Sequence, residues 1–286
     1  MTPETTTAMP SASAAAPSSG SLNPEQVRHY REEGYVFPFR AMGAADADAF
    51  RSRLEDLETK HGPRAGQILR QKSHLAITFA AEMIRLDPVL DAVESLIGPD
   101  ILCWSTSFFI KNPQDQKFIS WHQDVQYWGL EADDIVTAWI ALTPSIPSNG
   151  CMRVMPRSHL TILSHKDTRD PNNLLTRGQE IAAEVDESKA VDLVLSPGEF
   201  SLHHERTVHG SKRNEGTERR IGFSVRYLRP TARQVVESSD SATLVRGVDR
   251  YGHFAPEPRP TTDMDPSNVA FLDQLLTRRA GGDYRR

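Results

Sequence analysis

The chain has 286 residues, 38% of them hydrophobic, and carries 33 basic against 38 acidic side chains for a formal net charge of −5. A chain of this size buries about 70 to 75% of its unfolded surface, enough for one large core or two modest ones. Its basic residues form no long block suited to a phosphate backbone, no apolar run reaches the roughly 18 to 20 residues of a membrane span, and two cysteines, Cys103 and Cys151, are too few for a disulfide scaffold or a cysteine-rich metal cluster. Nucleic acid and membrane are therefore not expected as partners, and a reducing, cytoplasmic setting is.

Residues 1–21 are almost all Thr, Ala, Ser and Pro, with neither the basic nor the leucine-rich region of a secretory signal, and read as a disordered tail. Residues 22–286 read as one domain ending in a helix. Its first helix is expected from Asn23 and Pro24, where Asn caps and Pro suits the first turn, to a stop at Gly34. Tyr35 to Phe39 reads as a short strand. Helical spacing returns over Ala45 to Thr59, through Phe50, Leu54 and Leu57, and over Asp87 to Ile97, ended by Gly98-Pro99. From Ile101 the pattern changes to short strand-like runs: Ile101 to Ile110, Ile135 to Leu142, Cys151 to Met155, Val191 to Leu195, Phe200 to His204 and Arg220 to Leu228. Asn149-Gly150 and Ser196-Pro197-Gly198 read as turns between them. Ser164 to Lys189 is polar and aperiodic, the length of a functional loop over a site. A last helix is expected from Asp265-Pro266 through Val269 to Leu276. Helices followed by many short strands predict an α+β fold with a sandwich or barrel core.

The chemistry concentrates around His122-Gln123-Asp124. If the strand runs through it, residues i and i+2 face one side, so an imidazole and a carboxylate point into one space as two ligands of a metal. A facial arrangement of two histidines and one carboxylate on Fe(II) needs one histidine more. His203, His204 and His209 compete. We take His209, because the following Gly210 lets the backbone approach a bound group, and read the adjacent His203 and His204 as strand-face histidines. In Arg220 to Leu228, Arg220, Gly222, Ser224 and Arg226 share a polar face. A guanidinium there would fork a carboxylate, although some of Arg213, Arg219, Arg226 and Arg229 must be plain surface arginines.

His122-Gln123-Asp124, Asn149-Gly150-Cys151-Met152 leading to Pro156-Arg157-Ser158-His159, Pro197-Gly198-Glu199, and His209-Gly210-Ser211 followed by Arg220 together resemble the phytanoyl-CoA dioxygenase family of Fe(II)- and 2-oxoglutarate-dependent oxygenases, over roughly 22–229. The resemblance implies a double-stranded β-helix, or jelly roll, with N-terminal helices packed on one sheet. It implies iron on His122, Asp124 and His209, and Arg220 on the distal carboxylate of 2-oxoglutarate. Ser211 matches a position that hydrogen-bonds the same carboxylate, and Trp139 an aromatic position beside the cosubstrate. Arg157 departs from the family, which has Gly in this turn. The implied reaction uses O2 to couple oxidative decarboxylation of 2-oxoglutarate, releasing succinate and CO2, to hydroxylation of an unactivated C–H bond in a small molecule. Related halogenases have Gly or Ala where this chain has Asp124, which favours hydroxylation here.

Tyr127, Trp128 and Arg226 are candidates for the substrate pocket, with Trp128 sharing the strand parity of His122 and Asp124 if the strand continues; the aromatics read equally well as core or lid. A natural-product intermediate or an amino-acid-like metabolite is the expected substrate class. The same iron chemistry ending in desaturation, epimerisation or ring formation, a non-catalytic jelly-roll binding protein, and a zinc hydrolase are the alternatives.

Overall fold

A computed structural model describes residues 20–280 except 133–134, 176 and 237–238. The expected N-terminal tail falls, but for its last two residues, outside that range. The first helix, α1 (Pro24–Glu33), begins in a reciprocal cap: Asn23 Oδ1 accepts from the Gln26 amide at 2.9 Å, and Gln26 Oε1 accepts from the Asn23 amide at 2.9 Å. It ends where Gly34 turns left-handed at φ 87°. Then come α2 (Ala44–His61), α3 (Pro63–Ile68), α4 (Thr78–Met83) and α5 (Asp87–Ile97). On α5, Val89, Leu90, Val93, Leu96 and Ile97 make one buried face at helical spacing. A C-terminal helix, α6 (Pro266–Ala280), sends Leu272 and Leu275 into the same apolar cluster.

Most of the rest lies in two sheets, beside two short two-stranded pairs. The larger is built from β1 (Tyr35–Arg40), β2 (Ile101–Lys111), β4 (Ile135–Ala141), β7 (Glu199–His204), β9 (Arg220–Leu228), β10 (Ser241–Arg246) and β11 (Ala255–Pro256), in the order β1-β7-β4-β9-β2-β10-β11. The smaller has β3 (Ile119–His122), β5 (Met152–Val154), β6 (Val191–Leu193) and β8 (His209–Ser211), in the order β3-β8-β5-β6. This is the jelly-roll arrangement of a larger helix-backed sheet facing a smaller one.

Alternation along β9 divides the molecule. Ile221, Phe223, Val225 and Tyr227 join the helices and Val136, Ala138 and Ile140 of β4 in one core. Each such fully buried side chain contributes about 1.5 to 3 kcal/mol. Arg220, Gly222, Ser224 and Arg226 face inward, in register with Lys111, Phe109, Ser107 and Ser105 of β2, and Ser224 with Trp139 of β4. Across the gap, Tyr35, Trp139, Met152, Val154 and Leu193 form a second cluster joining the sheets.

The reading around His122 needs correction. The strand containing His122 stops there, and Asp124 opens a 3-10 turn, Asp124–Tyr127, so it does not share a strand face with His122 and Trp128 inherits no parity from it. Ser164 to Lys189, expected as a loop over a site, carries structure of its own: His165–Asp167 pairs with Gln179–Ile181, Ser120 Oγ on β3 accepts from Asn173 Nδ2 and donates to the Gln179 carbonyl, and Leu175 lines the space between the sheets beside His122 and Asp124. The short α3 and α4 and the late β10 and β11 carried no periodic signal. Arg157, where the family has glycine, sits at φ 63°, so the turn keeps its left-handed residue without one.

Candidate active site

His122 closes β3 and His209 opens β8, and the two are register partners with ring centroids 4.1 Å apart. Each ring is held by its own backbone: His122 Nδ1 lies 2.9 Å from the Ser120 carbonyl and His209 Nδ1 2.9 Å from the Thr207 carbonyl. Those contacts hold the proton on Nδ1 and leave each Nε2 lone pair free to bind a metal. Asp124 Oδ1 is 3.4 Å from His122 Nε2, while its buried Oδ2 has no hydrogen-bond partner among the described residues. One ligand atom from each of the three lies within 4.8 Å of the others. Burial raises the Asp124 pKa, but the neighbouring His122, His209 and Arg226 outweigh it and hold the carboxyl below its ordinary range. Burial and His122 push His209 down to about 4, a neutral imidazole.

Asp124 reaches the histidines because Gln123 is pinned. The Gln123 backbone N–H donates to His165 Nε2 at 2.9 Å, its side-chain amide donates to the Thr161 carbonyl at 2.8 Å and the Arg206 carbonyl at 2.6 Å, and its Oε1 accepts from the Leu163 amide at 2.8 Å. The middle residue of the motif thus fixes the turn that the sequence reading took for a strand.

Arg220 stands at the start of β9, 1% exposed, with Nε and one terminal nitrogen unpartnered among the described residues. Its guanidinium carbon is 4.7 Å from the centroid of the Trp139 ring. Opposite it in register is Lys111, whose Nζ donates to Ser211 Oγ at 2.6 Å and to the Lys212 carbonyl. A buried guanidinium beside a buried amine, with no carboxylate hydrogen-bonded to either among the described residues, forms a cradle for an anion. Burial lowers Arg220 to about 10, and burial with Arg220 pushes the Lys111 amine down to about 6.

The triad, Trp139, Ser211, Arg220 and Arg226 line one cavity between the sheets. Arg226 donates to Ser107 Oγ at 2.9 Å and lies by the rings of Phe109 and Trp128. Trp128 does not line the cavity; it packs on Trp104 with centroids 5.4 Å apart. The side chain of Tyr127 lies outside the described residues. His203, read as a strand-face histidine, points inward, 4.7 Å from His209 between centroids, whereas His204 turns to His159 and Glu205. Lys111, Gln123 and His203 were missed as site residues. For Lys111 the signal was present, since a lysine directly after Ser107-Phe108-Phe109-Ile110 is out of place at the end of a buried strand.

The residues fit Fe(II) and 2-oxoglutarate: two imidazole lone pairs and an orphaned carboxylate oxygen converge, and the guanidinium that would grip a diacid has unspent donors in the same cavity. The comparisons agree. Residues 19–222 match the family model for phytanoyl-CoA dioxygenase. Human peroxisomal phytanoyl-CoA dioxygenase is 25% identical over 68% of this chain, a match spanning 64% of the human protein, slightly under two thirds of its length. Among solved structures, the apo form of the non-heme monooxygenase ThoJ is 35% identical, with a TM-score of 0.78 over 89% of this chain and 96% of that one. CytC3 with Fe(II) and α-ketoglutarate is 25% identical, with a TM-score of 0.61 over 85% of this chain and 100% of that one. The chain belongs to the phytanoyl-CoA dioxygenase family of Fe(II)- and 2-oxoglutarate-dependent oxygenases.

Proposed function

We propose that this protein hydroxylates an unactivated C–H bond of a small molecule, coupled to conversion of 2-oxoglutarate and O2 to succinate and CO2. In this reading His122, Asp124 and His209 hold Fe(II), Arg220 and Ser211 take the distal carboxylate of 2-oxoglutarate, and Trp139 flanks that cosubstrate. Arg226 belongs to the substrate side, with the Trp128 ring backing its guanidinium from outside the cavity. Bound iron supplies the oxidising chemistry; the protein supplies orientation and a water-poor site. Lys111 gives a hydrogen to Ser211 Oγ, so the Ser211 hydroxyl keeps its own proton to donate to a carboxylate. The Trp139 ring holds the Arg220 guanidinium against the sheet, limiting the freedom lost when a ligand binds.

The observation that carries the reading is the meeting, in one cavity, of an unsatisfied His-Asp-His cluster and an unspent buried arginine. The helices and the larger sheet share one core, which supports reading residues 22–286 as a single dioxygenase domain. Two buried free cysteines, and helices among the described residues that are none of them long and apolar enough to cross a membrane, are in keeping with the reducing cytoplasm. The test is a screen of candidate metabolites for substrate-dependent succinate release. The reading requires a product one oxygen atom heavier than substrate, labelled from ¹⁸O2; a product two hydrogens lighter would replace hydroxylation with desaturation.

A further inference from the structure

We infer that the substrate is an anion, held by its carboxylate on Arg226. The inference rests on the reading above, which gives Arg220 to the cosubstrate. Arg226 lies six residues beyond Arg220 on the same face of β9, about 20 Å along the strand. The two guanidinium groups keep different company, Trp139 for Arg220 and Phe109 with Trp128 for Arg226.

Arg226 is buried, yet it spends only part of its hydrogen-bonding capacity. One terminal nitrogen donates to Ser107 Oγ at 2.9 Å, and Nε has no partner among the described residues. Its guanidinium carbon lies 5.9 Å from the Phe109 centroid and 5.8 Å from that of Trp128, so aromatic rings accompany the fork and leave donors to spend. Across the larger sheet Arg226 is in register with Thr137 and, through it, with His203, whose ring centroid lies 4.7 Å from that of His209. Arg226 therefore sits on the triad's side of the cavity, where a substrate presenting a C–H bond to the metal must lie.

Charge balance points the same way. With both cofactors bound, the iron dication and two guanidinium groups face the Asp124 carboxylate and the 2-oxoglutarate dianion, an excess of at least one positive charge in a closed space. Buried uncompensated charge is costly, and a monoanionic substrate removes it. A planar carboxylate suits the fork best, because two parallel N–H donors match its two oxygens.

The test needs no knowledge of the natural substrate. Protein loaded with Zn(II), which the same ligand set holds, and saturated with 2-oxoglutarate is mixed with sodium benzoate or with benzamide, and binding is read by saturation-transfer NMR. Benzoate should bind and benzamide should not. Arg226→Gln should weaken benzoate at least tenfold while 2-oxoglutarate binding persists, and Arg226→Lys should keep part of the benzoate affinity at an unchanged melting temperature, separating charge from packing. Equal binding of the two probes, no benzoate binding to wild type, or wild-type benzoate affinity in Arg226→Gln would each overturn the proposal. If 2-oxoglutarate does not bind wild type in a zinc-dependent way, the underlying reading fails instead, and the benzoate comparison between wild type and Arg226→Gln still decides the role of Arg226.

Discussion

The indole of Trp139 occupies the space where a side chain on Gly222 would stand: a Cβ at Gly222 would lie 1.8 Å from Trp139 Cζ2 and 2.3 Å from Cε2. Gly222 is thus what lets the ring lie flat across β9 and under Arg220. Gly222→Ala should cost about 1 to 3 kcal/mol through overpacking and displace the indole. The expected outcome is a more than tenfold rise in the 2-oxoglutarate requirement with iron binding retained, read by titrating cosubstrate against succinate formation. An unchanged requirement would mean that Trp139 plays no part in cosubstrate binding.

Arg220 should make a charge-assisted contact worth about 2 to 5 kcal/mol when one partner is removed from a closed site. Arg220→Ala should raise the 2-oxoglutarate requirement well over tenfold without loss of iron. If Arg226→Ala shows that effect and Arg220→Ala does not, the two arginines exchange roles.

Lys111 ties cosubstrate binding to protons. Its amine, pushed down to about 6 by burial and Arg220, is mostly neutral in the apoprotein at pH 7.5, and a carboxylate beside it favours the ammonium. Binding of 2-oxoglutarate should therefore take up a proton, an uptake that fades as pH falls below about 6, where Lys111 is already charged. Calorimetric heats of 2-oxoglutarate binding should vary with the ionisation enthalpy of the buffer in wild type and not in Lys111→Met. The sign for stability follows. Between about 6 and the ordinary value of 10.5 the unfolded chain holds a proton that the folded chain does not, so Lys111 makes the apoprotein lose stability as pH falls through that window.

Under the proposed assignment Asp124 would fill a metal position that an inner-sphere chloride needs. Wild-type enzyme should give no chlorinated product even at high chloride, as mass spectrometry would show. Asp124→Gly should lose most activity, because the turn built by Gln123 is arranged around a carboxylate.

Much of this was readable beforehand because strand alternation and ligand spacing are local. Arg220, Gly222, Ser224 and Arg226 separate from Ile221, Phe223, Val225 and Tyr227 on period two alone, and Asn23, Gly34 and Gly98 bound their helices through local backbone chemistry. What stayed hidden depends on long-range contacts. Nothing near Gln123 in sequence shows that it will bond to Thr161, Leu163, Arg206 and His165, and without those bonds a strand through Asp124 is the simpler reading. His203 and His204 could not be told apart until the pairing of β7 with β4 set His203 opposite Thr137 on the inner face. Lys111 acquires meaning only beside Arg220, more than a hundred residues away in the chain.

The most direct test is anaerobic addition of Fe(II) and 2-oxoglutarate to purified protein, read as the weak visible charge-transfer band of the chelated cosubstrate together with bound iron. Wild type should bind about one iron and show the band; His122→Ala and His209→Ala should lose both, and His203→Ala and His204→Ala should keep measurable iron. Absence of the band in wild type, or loss of iron in His203→Ala with His209→Ala unaffected, would contradict the assignment of His122, Asp124 and His209 as the metal centre.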